Sequence, residues 1–480
     1  MMPLSSIVHY LRINERSGNL MKLEEPLMLK KDLDSSNTLF VPETLFETWT
    51  EQRTFPDHLS FGSKTAFCKI DTIPGKKEAL LLSADLWNIL GLPYEFPVHL
   101  FQKGKSLHIG PLIGIYTAGF TSDLLRPVGD RSLFFAKQVS ASKHTGGYAF
   151  VFGSHLINWD SGTIKGYFHT KKGWQQAEVP MPNVIYERLP NRKTEQADIT
   201  QEVLQKLKKD YFIPLFNPGF FDKWDLYEKL KDDQHAIPYL PETRTAPEVK
   251  DIRSMLNIYE HVYLKPARGS LGIGIQQIIK PQNDYYYYCR FRKDDENRLR
   301  KYKSLPQLLA NQFPEGLLSQ LLVQQGIHLI RKDHRPIDFR VHTNKNKYGN
   351  WEVSTIAAKI AGTGSLTTHL SYSGEVKTIP ELAKEIDLQK EVFDNLQSAA
   401  LTLSHIIERK TNGIVGEIGF DFGVDKSGKV WLFEANSKPG RAIFKHPHLQ
   451  KEEARTRILP LEFALFLSEA SILKKSAAVR

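Results

Sequence analysis

Residues 416–441 read GEIGFDFGVDKSGKVWLFEANSKPGR. Two strand-like runs, IGFDFGVD and KVWLFEAN, flank a turn at DKSG. A two-residue turn at Ser427-Gly428 sets Asp421 opposite Glu434. A four-residue loop over 425–428 slips the register by two and still leaves them on one face. Alternation adds Asn436 to that face. Two opposed carboxylates repel unless a cation lies between them. Asp421, Glu434 and Asn436 are hard oxygen donors that leave room for water and phosphate, a set that suits Mg²⁺. The plainer reading is a surface hairpin with ordinary acidic residues. Phe420, Phe422, Trp431, Leu432 and Phe433 argue against it, because they would bury much of the hairpin.

Upstream, residues 265–275 read KPARGSLGIGI. Gly269, Gly272 and Gly274 let backbone N–H groups approach a phosphate, and Lys265 precedes them on a strand. The pattern is neither a Walker A loop nor a dinucleotide fingerprint, and alone it is equally a glycine-rich hairpin turn. Lys223, at the start of a helix capped by Asp222, is a further cation candidate, although a lone helical lysine is more often solvated surface. Arg340 stands two residues after Asp338 in PIDFRVHTNK, so both face one side of a strand, as a cleft pair or a structural ion pair.

The surrounding chain has 480 residues, enough for about three domains. Hydrophobic residues at 41% and charged residues at 25% exclude a disordered, collagenous or coiled-coil whole. No apolar run reaches the length of a membrane span, and the first thirty residues lack a signal-peptide core, so a cytoplasmic location is expected. Cys68 and Cys289 are read as free thiols, and the 16 histidines form no H-E-x-x-H pair. A net charge of +10 permits a polyanionic partner without demanding one. The run RFRKDDENRLRKYK (290–303) reads as a solvated helix face within a region that is either hairpin or helix. No nucleic-acid-binding module is recognisable.

Residues 1–105 read as a β-rich domain, with strands in KTAFCKI, EALLLS and FPVHLFQ and turns at PGKK (74–77) and QKGK (102–105). Residues 106–210 change to a strand (LHIGPLIGIYTAG), a helix (FFAKQVSASKHTG) and a strand (YAFVFG), which suggests an α/β unit with a parallel sheet. Residues 211–480 hold the motifs above and a long amphipathic helix from about Pro380 to Arg409.

Taken together, the Lys223 helix start, Lys265 with its glycine loop, and Asp421 with Glu434-x-Asn436 resemble the ATP-grasp superfamily. FEANSKPG is similar to the ending seen in D-alanine–D-alanine ligases and ribosomal-protein glutamate ligases. More narrowly, DFRVHTNKN, KPARGSLGIG, VQQGI and LHIGPLIGI look like the YheC/YheD family of spore-forming Bacilli, described as endospore coat-associated. The resemblance covers most of the chain after about residue 85. It implies a multidomain α+β and α/β protein: an N-terminal β-rich domain (1–105), a pre-ATP-grasp α/β domain (106–210), and an ATP-grasp domain (211–480). The last comprises a small subdomain (240–325) and a large one (326–470), with ATP between them.

The same resemblance implies site roles. Lys223 and Lys265 would bind phosphates, and Arg268, Gly269, Ser270, Gly272 and Gly274 would close over them. Gln324, Gln325 and Ile327 would form the adenine-side hinge. Asp421, Glu434 and Asn436 would hold Mg²⁺, and Arg340 with Lys265 would stabilise the transferred phosphoryl. Departures are Gln325 where a related family often has glutamate and Gly326 where an aromatic is common; Asp333 is the candidate for the acidic ribose ligand. Lys359 would contact phosphate, and His369 and Ser371 would face substrate. The implied reaction joins a carboxylate to an amine through an acyl phosphate, on a small-molecule or peptide substrate, with no protein nucleophile. Alternatives are a nucleotide-binding spore-coat component without turnover, partnered by coat proteins, and phosphoryl transfer to a hydroxyl.

Overall fold

The computed structural model describes residues 21–22, 25–73, 79–266, 274–294, 296–313, 317–362, 365, 374–388 and 391–474. Among these, the strands build four sheets. Those between Met21 and Gly110 make the first, a mixed sheet in non-sequential order. KTAFCKI is not one strand. It breaks at Cys68, whose N–H bonds to the Asp57 carbonyl, and its halves (Lys64–Phe67 and Lys69–Thr72) lie at opposite edges of that sheet. The turn PGKK falls outside the described residues.

LHIGPLIGIY also divides. Ser106–Gly110 belongs to the first sheet and Leu112–Tyr116 to the second. Pro111 between them has no N–H to donate to a ladder, so the chain leaves one sheet there and enters the next. In the second sheet Leu112–Tyr116 runs parallel to Tyr148–Phe152 and to β1 (Val184–Glu187). The helix Ser132–Ser140 makes the crossover between the first two. This is the parallel arrangement that strand, helix, strand order predicts.

Next comes α1 (Lys223–Leu230), whose Asp222 carboxylate accepts from the N–H groups of Trp224 and Asp225. The third sheet has β2 (His261–Pro266) paired antiparallel with Gln276–Ile279 and with β3 (Leu321–Gln325). Its core is Ile252, Met255, Val262, Leu264, Ile278, Cys289 and Val323. The charge run at 290–303 is not a helix face but a hairpin, Tyr287–Lys293 against Glu296–Tyr302, at the edge of this sheet. Cys289 and Phe291 point into the core, a period-two signal hidden by the surrounding charges.

The fourth sheet places β4 (Arg335–Lys345) between β5 (Trp351–Ile360) and β6 (Glu417–Val424), with β7 (Val430–Asn436) outside β6. All these pairings are antiparallel. One face carries Phe339, Val341, Ile418, Phe420 and Phe422, buried against Leu396, Leu403 and Ile407 of α2 (Glu391–Lys410). Each such side chain contributes about 1.5–3 kcal/mol on burial. The single long helix expected from Pro380 is two pieces. A short helix, Ile379–Ala383, opens with a Thr378–Glu381 capping box and ends before α2 begins. The C-terminal helix α3 (Gln450–Lys474) returns to the second sheet, where Leu461, Phe463, Ala464 and Leu467 pack with Ile113, Val151, Val184 and Tyr186. No helix among the described residues is long and apolar enough to cross a membrane.

Candidate active site

The opposite face of the fourth sheet is polar, and strand alternation decides what it carries. Along β4 it presents Asp338, Arg340, His342 and Asn344. Across the ladder Arg340 faces Asp421, His342 faces Gly419 and Asn344 faces Glu417. On β7, Glu434 pairs with Asp421 and Asn436 with Gly419. The hairpin turn occupies Asp425–Lys429, longer than the two-residue turn, but a bulge at Phe433 restores the register in which Asp421 meets Glu434. Gly419 leaves no space for a side chain: a Cβ there would lie 2.4 Å from Cβ of Pro439.

Asp421 is the electrostatic hub. Arg340 donates to it in bidentate fashion, Nε to Oδ1 at 3.0 Å and Nη2 to Oδ2 at 2.9 Å. Lys359 Nζ lies 2.8 Å from Oδ1 of Asp421 and 3.0 Å from Oδ1 of Asp338. Burial works against the Asp421 charge, but the charges of Arg340 and then Lys359 outweigh it and hold the carboxyl far below the usual range. Burial likewise opposes the Lys359 charge, and Asp338 and Asp421 overcome it, so the ammonium is held more firmly than usual. Lys359 thus sits against carboxylates.

Lys223 and Lys265 arrive from different elements, α1 and β2. Lys223 Nζ lies 3.8 Å from Oε2 of Glu434. Lys265 Nζ donates to Oε1 of Gln324 at 2.5 Å and lies 5.8 Å from the Phe433 ring centroid. Desolvation first, and the neighbouring Lys223 second, push the Lys265 ammonium down to about 8 against the pull of Glu434. Four cations (Lys223, Lys265, Arg340, Lys359) therefore face three carboxylates (Asp338, Asp421, Glu434). The repulsion between Asp421 and Glu434 is met by protein cations, so the hairpin does not require an ion for its own stability. The donor chemistry still suits Mg²⁺: Asp421 is ionised, Glu434 is its ladder partner, and no described residue hydrogen-bonds the Asn436 amide.

The hinge is more closed than its sequence suggests. Gln324 is held by Lys265 and donates to Thr243, and the Gln325 side chain accepts from the Glu242 N–H. The N–H groups of Gln325 and Gly326 bond to the carbonyls of Glu242 and His261. Gly326 is required here, because a Cβ would fall 2.1 Å from the His261 ring. A cavity of about 440 Å³ borders the hinge, lined by Tyr259, Glu260, Gln325, Ile327, His328 and Trp431 among others. Asp333 sits on the turn before β4, 3.7 Å from Arg335. Gly274 has a left-handed φ of +77°. Arg268, Gly269, Ser270, Gly272, His369 and Ser371 fall outside the described residues.

Several residues of this face were not singled out from sequence. Glu417 accepts from the Tyr186 hydroxyl at 2.5 Å and from Arg188 at 3.2 Å, which ties the second sheet to the fourth. Lys438 pairs with Glu187 in near-complete burial. Period-two counting from Asp338 and Asp421 would have found His342 and Glu417. No local signal marks Arg188 or Glu187, since their partners lie more than 200 residues away.

A family model described as YheC/D like ATP-grasp matches residues 212–467. The chain is 42% identical over 454 residues to endospore coat-associated protein YheD of Bacillus subtilis (strain 168), covering 93% of this chain and 97% of that protein. It is 25% identical over 293 residues to endospore coat-associated protein YheC of the same organism, covering 60% and 80%. Among solved structures, D-alanyl-alanine synthetase A from Vibrio cholerae O1 biovar eltor str. N16961 aligns at 14% identity and a TM-score of 0.42, over 74% of this chain and 98% of that one.

Proposed function

The chain belongs to the YheC/D like ATP-grasp family, and from that premise we propose that it is an ATP- and Mg²⁺-dependent ligase joining a carboxylate to an amine through an acyl phosphate. One observation carries the reading. Lys223 and Lys265 converge beside Glu434 from two elements, and Lys265 is desolvated next to a like charge. Glu434 offsets this only in part, since the Lys265 ammonium stays pushed down, and a polyphosphate supplies further negative charge.

In this reading 240–325 and 326–470 clasp the nucleotide, after domains over 1–105 and 106–210. Lys223 and Lys265 bind phosphate oxygens. Arg340 neutralises charge on the transferring phosphoryl through Nη1, the nitrogen that Asp421 does not take. Asp421, Glu434 and Asn436 would hold Mg²⁺, which when bound screens phosphate charge. Arg268, Gly269, Ser270, Gly272 and Gly274 cover the phosphates, and Gln324, Gln325 and Ile327 border the base. Catalysis is then positioning and charge stabilisation, with no protein nucleophile. YheD's description as endospore coat-associated supports placing this chain, too, in spore formation, at the coat or in the cytoplasm.

A thermal-shift titration with ATP, ADP and GTP, each with and without Mg²⁺, tests the nucleotide site. A rise with ATP that depends on Mg²⁺ is expected, and Glu434→Gln should lose the Mg²⁺ dependence while keeping the fold. ADP release with carboxylate and amine pairs then tests turnover. No rise at millimolar ATP would instead favour a coat component without nucleotide chemistry.

A further inference from the structure

On the polar face of the fourth sheet, His342 is fully buried, and neither ring nitrogen has a hydrogen-bond partner among the described residues. Buried imidazoles are normally satisfied, so this one marks a place where something else bonds. Its ring lies 5.4 Å from that of Phe444, and the Arg441 guanidinium lies 4.6 Å over the same phenyl ring. Arg441 Nη2 donates to the Glu453 carbonyl at 3.0 Å and the Thr456 hydroxyl at 2.6 Å. Both are neutral acceptors. Its buried Nε has no partner among the described residues, and no described carboxylate forms an ion pair with it. Glu417 and Glu453, the nearby acids, already pair with Arg188 and Arg457. On the other side, Nη1 of Arg340 points past Gly419, 3.5 Å from where a Cβ there would stand.

The ladder fixes the order of these groups. Arg340 and Asp421 lie at the phosphate end, His342 and Gly419 one step on, and Asn344 and Glu417 beyond. Successive same-face positions on a strand are about 6.6 Å apart. A group seated beside His342 is therefore one short carbon chain away from one presented to Arg340, and Phe444 is the ring that His342 and Arg441 share. Burial and then Arg457 push the Arg441 guanidinium down to about 10, so an anion beside it would favour its charge.

We propose that the substrate is a dicarboxylate, in the chemical class of an acidic amino acid or an acidic peptide end. One carboxylate is activated beside Arg340, and the second is bound by Arg441 with a hydrogen bond from His342. This assignment rests on the ligase reading for the fate of the first carboxylate. Arg441 and His342 act as substrate-binding residues and take no part in phosphoryl transfer.

The test uses the full chain with Mg²⁺ and ADP, and glutarate, L-glutamate and D-glutamate as probes, against butyrate and L-glutamine as singly charged or zwitterionic controls. Thermal shift and calorimetry should show at least one dicarboxylate binding ~10-fold or more tighter than its control. Arg441→Gln should remove that preference, Arg441→Lys should restore part of it, and the ADP shift should persist in both. His342→Leu removes the polar atoms with little change in side-chain volume. It should raise the melting temperature and still lower dicarboxylate affinity about tenfold. A purely structural histidine would give the first effect without the second, which would remove His342 from the assignment. A protein that binds ADP but treats glutarate and butyrate alike overturns the proposal and leaves the ligase reading standing. One that prefers the dicarboxylates yet ignores ADP supports the subsite and overturns the ligase reading.

Discussion

Lys265 shows how one residue links stability, proton affinity and ligand binding. Its folded-state pKa of about 8 lies below the ordinary lysine value, because desolvation and Lys223 disfavour the charge. Between pH 8 and the ordinary value near 10.4 the unfolded chain binds more protons than the folded one, so the contribution of this group to stability rises with pH there. Below pH 8 the full penalty is present. Lys265→Met should therefore raise the melting temperature of the ligand-free protein at neutral pH and weaken ATP binding, by about tenfold or more. ATP binding should restore the proton. Calorimetry at pH 8.5 in buffers of different ionisation enthalpy should show net proton uptake, and affinity should fall as pH rises above 8. Affinity unchanged in Lys265→Met would mean that this lysine does not contact the phosphates. Residues of this kind were legible in the sequence where local period sufficed, as for Asp421, Glu434 and Asn436. Lys359 was read toward phosphate, yet its contacts with Asp338 and Asp421 depend on pairing across three strands, which no single segment displays.

At the scale of elements, the β6–β7 hairpin was the most readable part because both its faces follow a period of two. Its turn was not, since Asp425 accepts from the N–H groups of Ser427 and Lys429 and stabilises a longer loop. The bulge at Phe433 then recovers the pairing. The helix expected from Pro380 divided for a related reason: the capping box at Thr378 marks its start, while periodicity ran on past its end. Gly419 tests how tightly the hairpin is built. In Gly419→Ala the new methyl would stand 2.4 Å from Pro439 Cβ, against a proline that cannot rotate away. We expect a loss of about 1–3 kcal/mol in denaturant unfolding, with the strand pushed off the Pro439–Arg441 segment. An unchanged midpoint would mean that this segment yields freely, and the spacing argued for the polar face would lose its support.

The whole molecule depends on the seam between the second and fourth sheets. Asn217 holds four backbone groups there, accepting from the N–H groups of Gly416 and Glu417 and donating to the carbonyls of Glu417 and Ser437. Beside it lies the Glu187–Lys438 pair, with side chains 1% and 3% exposed. Burial raises the Glu187 carboxyl and lowers the Lys438 ammonium, so both partners are shifted toward their neutral forms despite their mutual attraction. Desolvation thus exceeds the Coulomb gain, and the pair is a net cost to folding. Its use is positional, because Lys438 stands between Asn436 and Arg441 and ties that segment to β1. Lys438→Met alone leaves a buried carboxylate unpaired and should cost about 3–5 kcal/mol in denaturant unfolding. Glu187→Leu with Lys438→Met should recover most of that stability. If the pair positions the site, the double variant should regain its melting temperature and still bind Mg²⁺-ATP and dicarboxylates more weakly than the native chain. Recovery of stability and binding together would show that the segment holds its place without the pair.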